Sequence, residues 1–548
     1  ATRFEEAGKK YRALTREADF MHIDERVRQI TEIFSYFRNP DKETVLTPWR
    51  VVNMHMSDTI GGWCWYDETF DEKTGVLDTP RYVDQGDVTR QLFDNVDLAG
   101  EVQTKILEIN SKTGLYPLYV TYSLFRRRLD EYIKAECIDK ETVSVQEEQV
   151  VWDDIVKDNM YVICNTPMAV GITRRTLFGF RQVDQKANIK NVQLIERASK
   201  DQEGLVRELK SVGFWKGNSS KQEMKFNAVV GNPPYQLTNE SDNQNRNAPI
   251  YHKFIQLAIT LDTNYVSMIT PARWYFNNIL LGDFSKKFVN DTHIAYLHDF
   301  QEASKIFPNV EIKSGVCYFL WNKNYDGECT IESGYGIETT VAKRYLKSEF
   351  DDGFIRYNNA LSIIKKVHSM NEPSFATIVS PQNPFGFNTA VKGSPNRTEN
   401  SVIIISKGKT DLKEQFIDRD SVNLHSEWID QIKILTSKAA EDGILPGKVI
   451  SKLYIADSGK CCNGTYMVIG PFGHDVEKCN NVLSYIRTKF FRFLVGMKKP
   501  TQDLKDKTFS LVPLQDFSHR WTDEDLYEKY GLDLFEREYI ESLIKPMD

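Results

Sequence analysis

The chain has 548 residues, 41% of them hydrophobic and 12% aromatic, with a formal net charge of −7. Such a chain fills substantial cores and is comfortable as two or three domains, which excludes intrinsic disorder, and no apolar run approaches the ~18 residues of a membrane helix. A net negative charge excludes nucleic-acid binding by the whole surface and leaves a local basic cleft as the alternative. Eight cysteines, at 64, 137, 164, 317, 329, 461, 462 and 479, form no Cys-x-x-Cys pair and have no His cluster nearby. That pattern points to a reducing cytoplasm and away from structural zinc, with vicinal Cys461 and Cys462 read as packing or turn chemistry.

Residues 1 to about 40 are charged and helical in pattern. Ala1 is followed by Thr2, Arg3 and Phe4 without an apolar core, so no signal peptide is read, and the missing initiator Met fits processing or an excerpt from a longer polypeptide. From 41 to about 345 apolar strands alternate with amphipathic helices, the pattern of a doubly wound α/β sheet. Thr104 to Tyr119 reads as strand, tight loop and helix, the helix running to about Leu129. In a nucleotide-like cofactor fold the first strand ends in an acidic residue and a glycine-bearing turn, which makes Glu108 and Gly114 the candidates. Lys112 stands where a second glycine is expected, and a plain helix start capped by Ser111 or Thr113 fits the same residues. Arg126, Arg127 and Arg128 close this helix, where its dipole favours cations. A second strand follows at Tyr161 to Asn165, and Arg174 and Arg175 lie on the next predicted helix.

Residues 226 to 236 carry the most specific signal: a short apolar strand ends in Asn232, Pro233, Pro234 and Tyr235. An exocyclic amine or an amide nitrogen delocalises its lone pair and is a poor nucleophile. An Asn side-chain oxygen and the backbone carbonyl of the following Pro each accept one N–H, which favours a tetrahedral nitrogen aimed at an electrophilic methyl. The prolines stiffen the loop, and Tyr235 offers a face on which a base taken out of a duplex can stack, at about 1–3 kcal/mol per base. An ordinary strand-to-turn junction is the plainer reading of the same residues. The buried lead-in Ala228 to Gly231 favours the first, since open α/β sheets bind ligands at the carboxyl ends of their strands. Gln236 to Asn247, polar throughout, reads as a loop able to close over substrate or as a plain surface connection.

Over roughly residues 41 to 325 the chain resembles the gamma-type N6-adenine DNA methyltransferases, in particular the Eco57I-like restriction-modification methylases. Val45 to Met54, with Thr47 and Pro48 before a helix, is similar to the family's motif X. Glu108 to Tyr116 resembles motif I, with Gly114 and Tyr116 at the family's last Gly and its Phe, and Asn232 to Tyr235 matches motif IV residue for residue. Asp262 to Trp274 looks like the following strand and its loop. Ile306 to Leu320 resembles motif VIII, which places Phe307 against the target base; a core Phe in a turn is the alternative. Asn165 stands where the family carries an acidic residue for the ribose, and for the third-strand contact Asn191 to Glu196 offers Glu196.

The resemblance implies a Rossmann-like S-adenosylmethionine-dependent methyltransferase sheet at 41–345 after a helical segment at 1–40. It places a mixed α/β target-recognition domain at 346–548. Thr47, Pro48, Glu108, Asn110, Gly114 and Asn165 would bind S-adenosylmethionine, Asn232, Pro233, Pro234 and Tyr235 would be catalytic, Tyr235 and Phe307 would stack on the flipped adenine, and no metal is expected. Double-stranded DNA is the implied partner, with a nuclease or helicase on a longer polypeptide or in a complex, in a prokaryotic or phage-encoded cytoplasmic defence system. The same loop serves RNA adenine and protein-glutamine methyltransferases, and an inactive DNA-binding subunit of the same fold is a third reading.

From about 346 the character changes to β-rich runs such as Val402 to Ser406 and Tyr466 to Gly470, after a helical pattern at Asp352 to Asn371. Arg487 to Lys499 interleaves basic and aromatic residues and reads as a phosphate contact or a solvated helix face. Trp521 to Lys545 reads as a capped helical region with Thr522 as N-cap. About 40 residues precede Thr47, too few for a nuclease core, and Glu208 to Lys210 matches a nuclease motif only by chance composition.

Overall fold

The computed structural model describes residues 2–37, 45–65, 80–94, 104–183, 187–236, 248–276, 279–308, 310, 312, 314–350, 353–408, 412–439, 445–499 and 503–547. It divides into two compact units, 1–274 with 278–345, and 275–277 with 346–548. The expected loop at 236–247 lies, beyond Gln236, outside the described residues.

The first unit is an α/β fold. A two-stranded antiparallel pair, β1 (Gly62–Cys64) and β2 (Arg81–Val83), precedes a nine-stranded sheet. Its strands are β3 (Ile106–Ser111), β4 (Met160–Cys164), β5 (Asn188–Asn191), β6 (Ala228–Gly231), β7 (Tyr265–Pro271), β8 (Ile294–Phe300), β9 (Val316–Asn322), β10 (Cys329–Ser333) and β11 (Thr340–Arg344). They run in the order β11-β10-β8-β9-β7-β6-β3-β4-β5. β5, β4, β3, β6 and β7 are mutually parallel, and β9 enters antiparallel between β7 and β8. β3, β4, β6 and β7 are buried along their whole length, as strands covered on both faces must be, and this explains their near-continuous apolar runs. From β3 the chain steps outward to β4 and β5, then returns to β6 on the other side. The reversal opens a crevice at the carboxyl ends of β3 and β6.

The helix after β3 spans Leu115–Glu136, two turns beyond the expected end at Leu129, and stops where Cys137 turns left-handed at φ 53. Arg126 to Arg128 therefore lie inside the helix and do not close it; Arg126 pairs with Asp24 at 3.1 Å. Strong helix formers after Leu129 carry the helix on, and the pairing partner comes from a distant segment. The helices Thr2–Ala18 and Ile23–Ser35 place Ala18, Ile23, Val27 and Ile30 in the same core as Tyr119, Phe125 and Trp152.

The second unit carries two three-stranded sheets. One is ordered β13 (Leu412–Asp418), β12 (Ser401–Lys407), β16 (Lys460–Cys462), and the other β15 (Leu453–Ala456), β14 (Lys433–Ser437), β17 (Tyr466–Ile469). Cys461 and Cys462 are buried free thiols on β16, and burial pushes the Cys461 thiol up to about 12. Within the stretch at 487–499, the helix Lys489–Met497 is a packing element. Phe490, Phe491 and Phe493 are fully buried, Arg492 is 1% exposed with Nη1 donating to the Lys545 carbonyl at 2.6 Å, and Lys489 pairs with Glu541. The aromatic rings of a short helix bury most of its faces and carry the guanidinium in with them, where carbonyls satisfy it. Thr522 caps Asp523–Lys529 in a capping box with Asp525, and the chain breaks at Gly531 (φ 60) before a separate helix, Leu534–Leu543. No helix among the described residues is long and apolar enough to cross a membrane.

Candidate active site

The site is built where β3 and β6 end side by side. Gly231 closes β6 at φ 142, and a Cβ there would meet the Ile109 carbonyl oxygen at 2.8 Å, so only glycine lets the two strand ends approach this closely. The register of β3 against β4 shifts between Ile109 and Ser111, leaving Asn110 as the extra residue at φ 69. Asn is one of the few side chains that enter this conformation readily. The bulge turns the amide across the crevice, and Asn110 Nδ2 donates to the Asn232 carbonyl at 3.0 Å.

Asn232 is 5% exposed, and its Nδ2 donates to Thr47 Oγ1 at 3.0 Å. Its Oδ1 is buried without a hydrogen-bond partner. The Tyr235 hydroxyl is likewise buried without a hydrogen bond of good geometry; burial pushes its pKa upward, and the nearby Asn232 side chain offsets part of that push. Pro48 starts the helix Trp49–Thr59, which holds Thr47 at the crevice, and Lys112 Nζ ties the loop after β3 to this segment through the Val45 carbonyl at 2.9 Å.

A cavity of about 940 Å³ opens beside this loop. Asn110, Ser111, Lys112, Asn165, Pro234 and Tyr235 line it, together with Tyr11, Ile33 and Phe37 of the N-terminal segment. Asn165 sits just past β4, where its Oδ1 accepts from the Leu194 amide at 3.1 Å. The helix Pro167–Phe178, which starts with the Thr166 side chain as its cap, adds Ile172 and Arg175 to the wall. Among the described residues no three His, Cys, Asp or Glu side chains gather as a metal-binding group.

Several residues singled out in the sequence stand behind the cavity and not on its wall. Glu108 is buried under the loop with Oε2 unpartnered, and burial raises its pKa to about 8 against smaller opposing effects of Ser111 and Lys112. Gly114 begins the helix Leu115–Glu136 at φ 79, and a Cβ there would come within 3.0 Å of Thr173 Cα. Its glycine is required by the packing of two helices, and neither Ser111 nor Thr113 caps the helix. Phe307 is fully buried in a core cluster with Ile269, Phe300 and Tyr318, a cluster that Tyr235 packs against, and it does not line this cavity. Glu196 lies on the helix Leu194–Lys200, paired with Lys200 at 3.0 Å. Reasoning from the sequence missed the contribution of the helix Pro167–Phe178 and of the N-terminal helices to the cavity, since their lining residues carry no motif.

The model of the Eco57I restriction-modification methylase family matches residues 158–307, a span that contains β4, β6 and the Asn232 loop. An uncharacterized adenine-specific methylase of Mycoplasma pneumoniae is 38% identical over 131 residues, which covers 22% of this chain and 31% of the relative. The chain thus spans about a third of the length of that curated relative. Among solved structures, the DrdV–DNA complex overlays 95% of this chain and 60% of its own at TM-score 0.45 and 9% identity. The restriction-modification enzyme MmeI in complex with DNA overlays 74% and 61% at TM-score 0.44 and 9% identity. Through the segment that carries its asparagine loop, the chain is similar to the Eco57I restriction-modification methylases.

Proposed function

We propose that this protein transfers a methyl group from S-adenosylmethionine to N6 of an adenine flipped out of double-stranded DNA, as the modification enzyme of a restriction-modification or phage-defence system. The observation that carries the reading is Asn232 Oδ1, a buried acceptor with no partner in the loop whose Pro234 and Tyr235 line a large cavity. A buried polar atom left unpaired costs about 1–3 kcal/mol unless a ligand satisfies it.

The residues present fit the cofactor. A cavity of about 940 Å³ is of the size that small-molecule sites occupy, and it lies at the carboxyl ends of parallel strands beside the start of a helix. Asn110 and the loop 111–113 would hold the amino-acid end, and the Asn165 amide would meet the ribose hydroxyls in place of an acidic side chain. Thr47, Pro48, Glu108 and Gly114 shape these elements from behind. When bound, S-adenosylmethionine supplies a methyl made electrophilic by its sulfonium.

The chain's own part is positioning. Asn232 Oδ1 and the Pro233 carbonyl accept the two amino hydrogens of the target, so that its lone pair is directed out of the plane of the base. Asn110 holds the Asn232 carbonyl and fixes the start of the loop. Pro234 and Tyr235 face the cavity, where the Tyr235 ring replaces the stacking lost by the flipped base. Phe307 supports that ring from the core behind it. Within this reading the second unit recognises the target sequence, through base edges in the major groove.

The test is incorporation of label from methyl-labelled S-adenosylmethionine into duplex DNA, RNA or protein supplied separately. Label in DNA, recovered as N6-methyladenine, is the expected outcome; label only in RNA or on protein glutamine would transfer the same chemistry to another polymer and overturn the DNA reading.

A further inference from the structure

The helices Thr2–Ala18 and Ile23–Ser35 form a hairpin, tied across by Gln29 Nε2, which donates to the Leu14 carbonyl at 3.1 Å. Polar bonds fasten its turn to the rest of the first unit. Asp19 Oδ2 accepts from the Phe180 amide at 2.7 Å, Glu148 Oε2 accepts from the Ile23 amide at 2.7 Å, and Nη2 of the fully buried Arg26 donates to the Thr176 carbonyl at 3.1 Å. Charged groups taken out of water are stable only in fixed hydrogen-bonded geometry, so these bonds set where the hairpin points. Thr176 and Phe180 themselves line the cavity. Away from the turn the hairpin brings Tyr11 and Phe37 together, with ring centroids 5.3 Å apart, and the Phe34 ring lies 5.8 Å from that of Phe37. All three residues line the same cavity as Asn110, Asn165 and Tyr235, and Phe37 is nevertheless 49% exposed.

A half-exposed ring on a cavity wall is a surface for a ligand, and the continuity of this cavity with Asn110 and Asn165 says which ligand. We propose that the N-terminal hairpin is one wall of the cofactor site, and that the adenine of S-adenosylmethionine packs against Tyr11 and Phe37. The inference rests on the methyltransferase reading, which supplies the cofactor. Adenine is the one aromatic part of that molecule; its ribose is polar and its amino-acid end carries both an ammonium and a carboxylate. Flat rings gain by stacking on other rings or meeting them edge-on, and Tyr11 and Phe37 stand side by side to receive one. Tyr11 belongs to the first helix and Phe37 follows the second, so a cofactor seated on both holds the open end of the hairpin together. Cofactor binding and hairpin docking are thereby coupled, each strengthening the other by the same factor.

Tyr11→Ala combined with Phe37→Ala removes both rings and leaves every bond of the turn in place. In calorimetric titrations of the full chain, S-adenosylhomocysteine, and adenosine competing with it, should each bind at least about tenfold more weakly than to the wild type. Phe20→Ala, which removes an 83% exposed ring from the turn, should leave both affinities unchanged. Unaltered affinities in the double variant would overturn the proposal, and weaker binding of S-adenosylhomocysteine with unaltered competition by adenosine would overturn the assignment of the adenine. Hydrogen exchange on the wild type needs no variant to fold. Saturating S-adenosylhomocysteine should slow exchange across residues 8–15 and 30–37, and unchanged exchange there would contradict the coupling. A wild type that binds no S-adenosylhomocysteine would instead sink the cofactor reading itself, a result distinct from binding that ignores Tyr11 and Phe37.

Discussion

Asn232 Nδ2 donates to Thr47 Oγ1 across 3.0 Å, while the oxygen of the same amide lies buried without a partner. One end of the side chain is thus anchored to a segment 185 residues earlier, and the other is free to act. Thr47→Val keeps the shape of the anchor and deletes its acceptor. It should lower the single-turnover methylation rate by about tenfold or more, because an inward N–H left unpaired costs on the order of 1–3 kcal/mol and the amide reorients to avoid it. Thr47→Ser, which retains the hydroxyl, should lose much less. Rapid-quench methylation of the two variants compares them directly, and equal rates for Val and Ser would disconnect the anchor from catalysis.

Glu108 makes stability depend on pH. The folded carboxyl titrates near 8 because it is buried, against an ordinary value of 4.5. Between those values the native state holds a proton that the unfolded chain has released, so stability falls as pH rises from 4.5 toward 8 and levels off above. Glu108→Gln, which cannot ionise, should match the wild type near pH 4.5 and exceed it progressively up to about pH 8, by on the order of 3–5 kcal/mol at the limit. Thermal unfolding of the ligand-free proteins across that range measures it; a constant difference would place the titration elsewhere.

Gly231→Ala tests the strand junction. A methyl group there meets the Ile109 carbonyl and demands a backbone conformation that L residues rarely adopt. A loss of about 2–4 kcal/mol in unfolding free energy is expected, read from the denaturant midpoint, with methylation reduced as the Asn232 loop shifts. A midpoint equal to that of the wild type would show that the strand ends can separate at no cost.

Arg492 separates packing from DNA contact. Its guanidinium is buried and donates to the carbonyls of Lys545 and Lys448. Arg492→Leu should destabilise the protein by about 1–3 kcal/mol and leave the salt dependence of DNA affinity unchanged, where loss of a phosphate contact reduces the slope by about one. A flatter salt slope in fluorescence-anisotropy titrations would restore the phosphate role.

What could be read from the sequence was local. The Asn232 loop announced itself because strand, glycine, asparagine and two prolines lie within a few residues, and the chemistry needs those groups in that order. Glu108 and Gly114 were recognisable as special, but their reasons were not. Gly114 makes room for Thr173 of the helix Pro167–Phe178, and Glu108 is buried at the end of β3 beside Ser111 and Lys112, placements that only the folded chain reveals. Arg487 to Lys499 looked like a phosphate-binding stretch because sequence shows the charges and not the direction of the rings; eight residues of its helix Lys489–Met497 are buried. Tyr11 and Phe37 reach the cavity only through the packing of the N-terminal hairpin, and no spacing in the chain connects them to Asn110 or Tyr235.

The central claim is that Asn232 Oδ1 orients the target amine. Asn232→Ala deletes it on a stiff loop that leaves the cavity walls in place. Single-turnover methylation of duplex DNA by this variant, with S-adenosylmethionine affinity measured on the same preparation, is the most direct test. Loss of methylation by at least about a thousandfold with cofactor affinity nearly unchanged is the result predicted here. Methylation at a rate comparable to the wild type would contradict it.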